Sequence, residues 1–352
     1  MKTSTTSKAS QQGVIFLALV LVLFVAGSTV AISALNNRQS RELQERAEVR
    51  YQMGLAKAAL LSYAASSAQL YDNERGPGFF PCPDTGNDGE PEGGCNSNTA
   101  VLGRLPEYQV LPDNRRFYIN DTYANVDGQF WYVVAPRYVY DTATTTNRRS
   151  RLRTAATYAA PYWLNLDGKS EYVALIIAPG NELTTQSRRT GPTNYANYLD
   201  GLNGASGFNY YTSYDSNPEL FNDEVIGITL DEYMLHVGTA VAREVKAVID
   251  VFAAGSFGAY PGDSGAINSV SCSAFTGTTF SNLFDNQAAW LRDNSLNNNG
   301  NNNERWSCPS GMWWNRDASP NTGVGVLKLN GCDNLSFTLT FGGGITRTGT
   351  RC

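Results

Sequence analysis

From Val14 to Leu35 no charged residue interrupts the chain, and a run of about twenty apolar residues is what a helix needs to cross a hydrocarbon core. A short polar stretch with Lys2 and Lys8, and no acid, precedes it and ends at Gly13. Beyond the run the pattern becomes periodic. Leu43, Ala47, Tyr51, Gly54, Ala58, Leu61, Ala65 and Ala68 recur at spacings of four and three, which marks one face of a helix. Their small size predicts a flat partner, a sheet, lying close against them. Arg38, Arg41, Glu42, Glu45, Arg46, Glu48 and Arg50 occupy the rest of the circumference and read as solvated or facing another subunit. No proline occurs before Pro77, so the pattern predicts one helix over 14–71, roughly 85 Å long at about 1.5 Å per residue. It ends in the breaker cluster from Asp72 to Gly78.

The remainder alternates strand-like runs with loops. Arg116–Ile119, Gln129–Ala135 and Tyr172–Ala178 are apolar or alternating; the last, closed by Pro179-Gly180, predicts a buried central strand. Residues Gly191 to Asn222, rich in Gly, Asn and Tyr, read as an extended surface excursion where a recognition surface would sit, with Tyr195, Tyr198, Tyr210, Tyr211 and Tyr214 suited to a binding face or to packing. Val225–Leu230 suggests a short strand. Thr229 followed by Asp231 and Glu232 predicts a capped helix to about Ala254. Leu55–Ser66 and Glu244–Gly255 echo each other, a weak internal repeat that would make the second half a unit lacking its own membrane segment. Ser295–Asn303 is nearly all Asn and predicts a loop. Val324–Leu329 and Leu335–Phe341 alternate in period two around Asn330-Gly331, a hairpin signal.

Charge and cysteine content narrow the compartment and the partners. A net charge of −5 argues against a general nucleic-acid binder. Cys82, Cys95, Cys272, Cys308, Cys332 and Cys352 all follow the apolar run, and no Cys-x-x-Cys pair occurs. With His236 the single histidine, zinc is the weaker reading and disulfides in an oxidising compartment the stronger. Cys82 and Cys95, close together and apart from the rest, predict one bridge. The other four allow three pairings, with Cys332–Cys352 and Cys272–Cys308 favoured.

The basic leader ending in Gly13, the apolar helix starting directly at Val14 and its amphipathic continuation resemble the type IV pilins and pseudopilins. The Pro81-Cys82-Pro83-Asp84 run after the helix is similar to a subset of large pilin-like proteins. The resemblance implies cleavage between Gly13 and Val14 by a prepilin peptidase, N-methylation of Val14, and packing of the apolar half-helices against other pilins in a filament. The fifth residue after the cleavage point is Ala18, where most of the family has Glu. That departure, with the bulk of the head, points to a tip or low-abundance subunit. Two other readings of the N-terminus are a secretory signal peptide ending near Val30–Ala34 and a plain single-pass anchor.

Candidate chemistry is sparse. Asp84, Asp88, Glu90 and Glu92 fall near the spacing of a calcium loop, with Gly89 at its tight-turn place and Cys95 where a closing Glu would stand; they are candidate calcium ligands or an acidic turn. Arg148, Arg149, Arg151 and Arg153 are a candidate site for phosphate, DNA or lipid headgroups, or a solvated loop. His236 has no nucleophile motif beside it, and neither a P-loop nor a dinucleotide fingerprint is present.

These readings predict an α+β, pilin-like fold: a long N-terminal helix, transmembrane over 14–35, packed on an antiparallel sheet. The expected divisions are a leader over 1–13, the helix over 14–71, a β-rich head over 72–228 and a second helix with a disulfide-bonded β region over 229–352. The expected function is a minor pilin or pseudopilin of a type IV pilus or type II secretion-like filament, not an enzyme. It would be held in the bacterial inner membrane before assembly into a periplasmic or extracellular filament. A tip adhesin that binds a surface, glycan or DNA is the alternative, and a membrane-tethered exported enzyme stands behind it.

Overall fold

A computed structural model of the protein describes residues 9–71, 76–92, 95, 100–119, 129–136, 138–139, 163–184, 186–188, 194–204, 207–212, 221–256, 260, 312–316, 323–329, 332 and 334–352. The chain forms two compact units, Met1–Gln52 and Met53–Cys352, and the division falls inside the first helix, α1 (Ala9–Leu70).

The second unit is built on a sheet in the order β1 (Val101–Arg104), β4 (Trp131–Val134), β6 (Lys169–Ala178), β5 (Leu164–Leu166), β7 (Asn209–Tyr210), with β8 (Glu224–Thr229) also paired to β6. Strand β6 is its centre. Val133 pairs with Leu175 on one flank and Gly227 pairs with the same Leu175 on the other. Val173 to Ala178 are all buried, as are all four residues of β4. Continuous burial means that both faces are covered, which is why β6 reads in sequence as an unbroken apolar run. A two-stranded ribbon, β2 (Tyr108–Val110) with β3 (Arg116–Tyr118), projects between β1 and β4 in the chain. A second sheet has the order β12 (Ile345–Thr348), β11 (Ser336–Thr340), β10 (Val324–Leu329), β9 (Met312–Arg316).

Helix α2 (Leu230–Gly255) lies against β6 and β8 of the first sheet and β11 of the second. Its start follows the sequence rule: Thr229 is extended, its hydroxyl accepts from the Glu232 N–H at 3.2 Å, and Asp231 and Glu232 stand in the first turn. Its buried residues run from Tyr233 through Met234, Val237, Gly238, Val241 and Val245 to Ala253. At about 100° per residue they cover roughly 200° of arc, about twice the stripe a one-sided surface helix shows. Tyr233 stands on one flank, its ring centroid 5.1 Å from Tyr138 and 5.5 Å from Phe80. Gly238 stands on another, where Phe337 and Leu329 approach so closely that an added Cβ would lie 2.8 Å from the Phe337 ring.

The expected fold class does not hold in this form. Among the described residues no helix is long and apolar enough to cross a membrane. The helix shared by the two sheets is α2 rather than the N-terminal one, and the first sheet is mixed, since β5 and β7 run parallel. The face expected to pack on α1 is also wrong. Leu43 and Tyr51 are each 61% exposed and Gly54 and Ala58 are exposed, whereas Met53, Ala56, Leu60, Tyr63, Ala64 and Ser67 are buried. The reason is twofold. Leu43, Ala47 and Tyr51 lie in the first unit, which ends at Gln52 and in which residues 43–48 are all exposed. In the head Met53, Leu60 and Tyr63, with Ala56, Ala64 and Ser67 between them, set the buried face, and of the expected positions only Leu61 and Ala68 are also buried.

Within the head, α1 is fastened by polar ties. The Lys57 ammonium donates to the Gly227 carbonyl at 2.8 Å and pairs with Glu232 at 2.6 Å. The Gly78 N–H donates to the Ala64 carbonyl, and the Tyr233 hydroxyl donates to the Gly78 carbonyl, both at 2.7 Å. Disulfides Cys82–Cys95 and Cys332–Cys352 form as expected, and the Cys352 N–H donates to Asp231 at 2.7 Å. The expected Cys272–Cys308 pairing, the Asn330-Gly331 turn and the Ser295–Asn303 loop lie outside the described residues. Replacement of Gly238 by valine is expected to lower stability by about 1–3 kcal/mol through overpacking, read as a lower urea midpoint; an unchanged midpoint would mean that the layers part without cost.

Candidate functional site

The chain leaves β6 at Ala178 and returns into β8 at Glu224, and these two residues are register partners. The excursion between them contains Gly191–Asn222, the stretch that the sequence reading assigned to the surface. Much of it is instead drawn inward. Tyr198, Leu199, Asp200, Asn203 and Tyr210 are buried, and Tyr195 and Tyr211 half-buried. Two 3-10 turns, Tyr195–Asn197 and Gly201–Gly204, make the fold back. Asn194 starts the first by accepting from the Ala196 N–H at 3.1 Å. Gly201, at φ +50°, supplies a left-handed conformation directly after Asp200.

A polar knot closes the base of the excursion. The Asp200 N–H donates to Asp223 Oδ2 at 2.8 Å, and the Asp223 N–H donates to Asp200 Oδ2 at 3.0 Å. Asp200 Oδ2 also accepts from the Asn222 N–H at 2.6 Å, and Asp200 Oδ1 from Gln186 Nε2 at 2.7 Å. Asn203 Nδ2 donates to Asp223 Oδ2 at 3.2 Å and to the Tyr211 carbonyl at 3.0 Å, while its Oδ1 accepts from the Tyr211 N–H at 2.8 Å. Asn203 thus imitates a strand partner for Tyr211. Arg188 Nη2 donates to the Gly180 carbonyl at 2.8 Å, Gln186 Oε1 at 3.2 Å and the Tyr198 carbonyl at 3.4 Å.

Aromatic rings tie the knot to the sheet. Arg104, from β1, places its guanidinium 4.7 Å from the Trp131 ring and 4.5 Å from that of Tyr198, and Arg188 lies 5.3 Å from Tyr198. Trp131 and Tyr198 are themselves 5.4 Å apart. Both guanidiniums therefore rest on ring faces, a contact strengthened by removal from water.

No family model, curated protein or solved structure matches this chain. Burial, then the neighbouring Asp200 carboxylate, pushes the Asp223 carboxyl up to about 7. Asp200 is raised as well, by burial, against the lowering pull of the backbone donors of Asn222 and Asp223 and of Arg188. Two carboxyls so closed off from water (2% and 4% exposed) have no open face to offer a substrate. Their chemistry is that of a fastening.

The other residues singled out in sequence are distributed elsewhere. Asp84 is buried and its carboxylate accepts from the Asn87 N–H at 2.5 Å and the Gly89 N–H at 2.9 Å. Glu92 Oε1 accepts from the Gly86 N–H, the Thr85 N–H and the Thr85 hydroxyl. Asp88 accepts from the Glu90 N–H, and Glu90 from the Tyr108 hydroxyl. These oxygens organise the loop clipped by Cys82–Cys95, and among the described residues no three His, Cys, Asp or Glu side chains could hold a metal ion together. His236 is exposed on α2, and Gly13 and Val14 lie in the backbone of α1. Arg148, Arg149, Arg151, Arg153, Tyr214, Cys272 and Cys308 are outside the described residues.

Sequence reasoning missed Asp200, Asp223, Arg188, Asn203, Arg104 and Trp131. The available signal was position: Asp200-Gly201 and Asn222-Asp223 are turn dipeptides inside and at the end of a long excursion between two strands. Replacing Arg188 by methionine removes the Nη2 group that donates to the Gly180, Gln186 and Tyr198 oxygens, and the cation beside the carboxyl pair. A loss of about 3–5 kcal/mol is expected, measured by chemical denaturation; a loss under about 1 kcal/mol would mean that the guanidinium is dispensable to the knot.

Proposed function

We propose that the protein is a minor pilin or pseudopilin, a structural subunit of a type IV pilus or a type II secretion-like filament. In this reading a prepilin peptidase cuts between Gly13 and Val14, the chain is held at the bacterial inner membrane until assembly, and like subunits then cover α1. The observation that carries the reading is the surface of that helix. Leu21, Phe24, Leu43, Tyr51 and Leu55 stand exposed along it, Phe24 by 77%, and a series of large apolar side chains on one long element calls for a partner. Two disulfides in the head suit an oxidising compartment outside the inner membrane. Ala18, in place of the family's Glu, and the size of the head favour a low-abundance or tip position. The head serves here as a shape to be displayed, with no reaction of its own.

Mass spectrometry of the full-length protein recovered from cells tests this. The expected mature species begins at an N-methylated Val14 and cofractionates with filaments or a secretion complex. Gly13→Leu is expected to retain Met1–Gly13 and to drop out of the filament fraction. A wild-type protein that keeps its first thirteen residues and never enters such a fraction overturns the reading.

A further inference from the structure

Asp200 and Asp223 bridge the excursion to the place where β8 begins, and their four carboxyl oxygens are unequally served. Both Oδ2 atoms accept the other residue's backbone N–H, and Asp200 Oδ1 accepts from Gln186. Asp223 Oδ1 is buried without a hydrogen-bond partner among the described residues. An ionised Asp223 would leave a charged acceptor unserved in the interior, which is costly. A protonated one is neutral, and an unserved neutral oxygen costs far less than an unserved charge. Among the described residues the charged groups around the pair are Arg188, which favours ionisation but directs Nη2 at the Gly180, Gln186 and Tyr198 oxygens; Glu182, whose Oε1 accepts the Arg188 N–H at 3.0 Å; and Arg104 across Tyr198. Tyr195, Tyr198 and Tyr211 are the phenols nearby.

We propose that Asp200 and Asp223 form an acid-closed clasp, in which one proton held by the pair fastens the 179–223 excursion to the base of β6 and β8, and loss of that proton loosens the excursion while the sheets stay folded. The direction of the Asp223 shift agrees. Its carboxyl rises from the ordinary value near 4 to about 7. A raised folded-state value means that the stabilisation is complete below about pH 4 and is lost as pH climbs through about 7. The clasp is therefore tight in mild acid and slack in mild alkali, the reverse of a carboxylate salt bridge.

Hydrogen exchange of the full-length protein reads this directly, at the Asp200, Asn222 and Asp223 amides and corrected for the intrinsic rate. Protection there is expected to fall about tenfold per pH unit between about pH 4 and pH 7 and to level off above it, while β4 and β6 amides hold. Asp223→Asn, which keeps the shape and stays neutral at every pH, is expected to abolish that dependence. Flat protection in the wild type, or the same dependence in Asp223→Asn, overturns the clasp. If that variant does not fold, carboxyl-carbon shifts of the wild-type aspartates decide: a titration midpoint above about pH 5.5 for one of the pair supports it, and midpoints all below that value overturn it.

Discussion

The head depends on one helix having to be dry on most of its circumference. An amphipathic helix on a single sheet needs one apolar stripe; α2 carries apolar or small residues over more than half its surface, from Tyr233 round to Ala253. One sheet cannot cover that arc. The first sheet takes part of it through β6 and β8, and β11 takes another part. Gly238 marks the tightest approach, since the absence of a side chain there admits Phe337 and Leu329 to the helix backbone. Burial of each Val, Ile, Leu or Met along α2 contributes roughly 1.5–3 kcal/mol, so this one element accounts for much of what holds the two sheets as one body.

Polar groups do the positioning where apolar contact is not directional enough. Lys57, Thr229, Tyr233 and Asp231 each link a helix end or helix side to a specific backbone atom. The Asp200–Asp223 knot does the same for the long excursion, with a different energetic character. Buried ionic groups contribute little net stability but are severe about geometry, because any displacement leaves a charge unserved. Arg104, against both Trp131 and Tyr198, extends that severity into the sheet. The excursion is thereby given one arrangement.

Elements with a local signature were legible in the sequence. Strands β4, β6 and β8 announced themselves by apolar runs, α2 by Thr229 with acids in its first turn, β10 and β11 by alternation, and both observed disulfides by spacing or count. Elements decided at long range were not. Leu164–Leu166 and Asn209–Tyr210 are too short to carry a period, and their parallel pairing depends on the fold between them. The buried face of α1 was misread because small residues occur on more than one side of the helix, and the side that is buried is the one that also carries the bulk of Met53, Leu60 and Tyr63. The knot was invisible for a similar reason: Asp, Asn, Gln and Arg in a Tyr- and Gly-rich stretch look solvated until the chain is closed on itself.

Closing that stretch at its root has a consequence for how the molecule can change over generations. Because the clamp, the two 3-10 turns and the Ala178–Glu224 pairing fix both feet of the segment, it is held as a unit of its own on the strands that bear it. Such a cassette can be lengthened, shortened or rewritten without renegotiating the body beneath, so a lineage could alter what this head presents while inheriting its architecture unchanged.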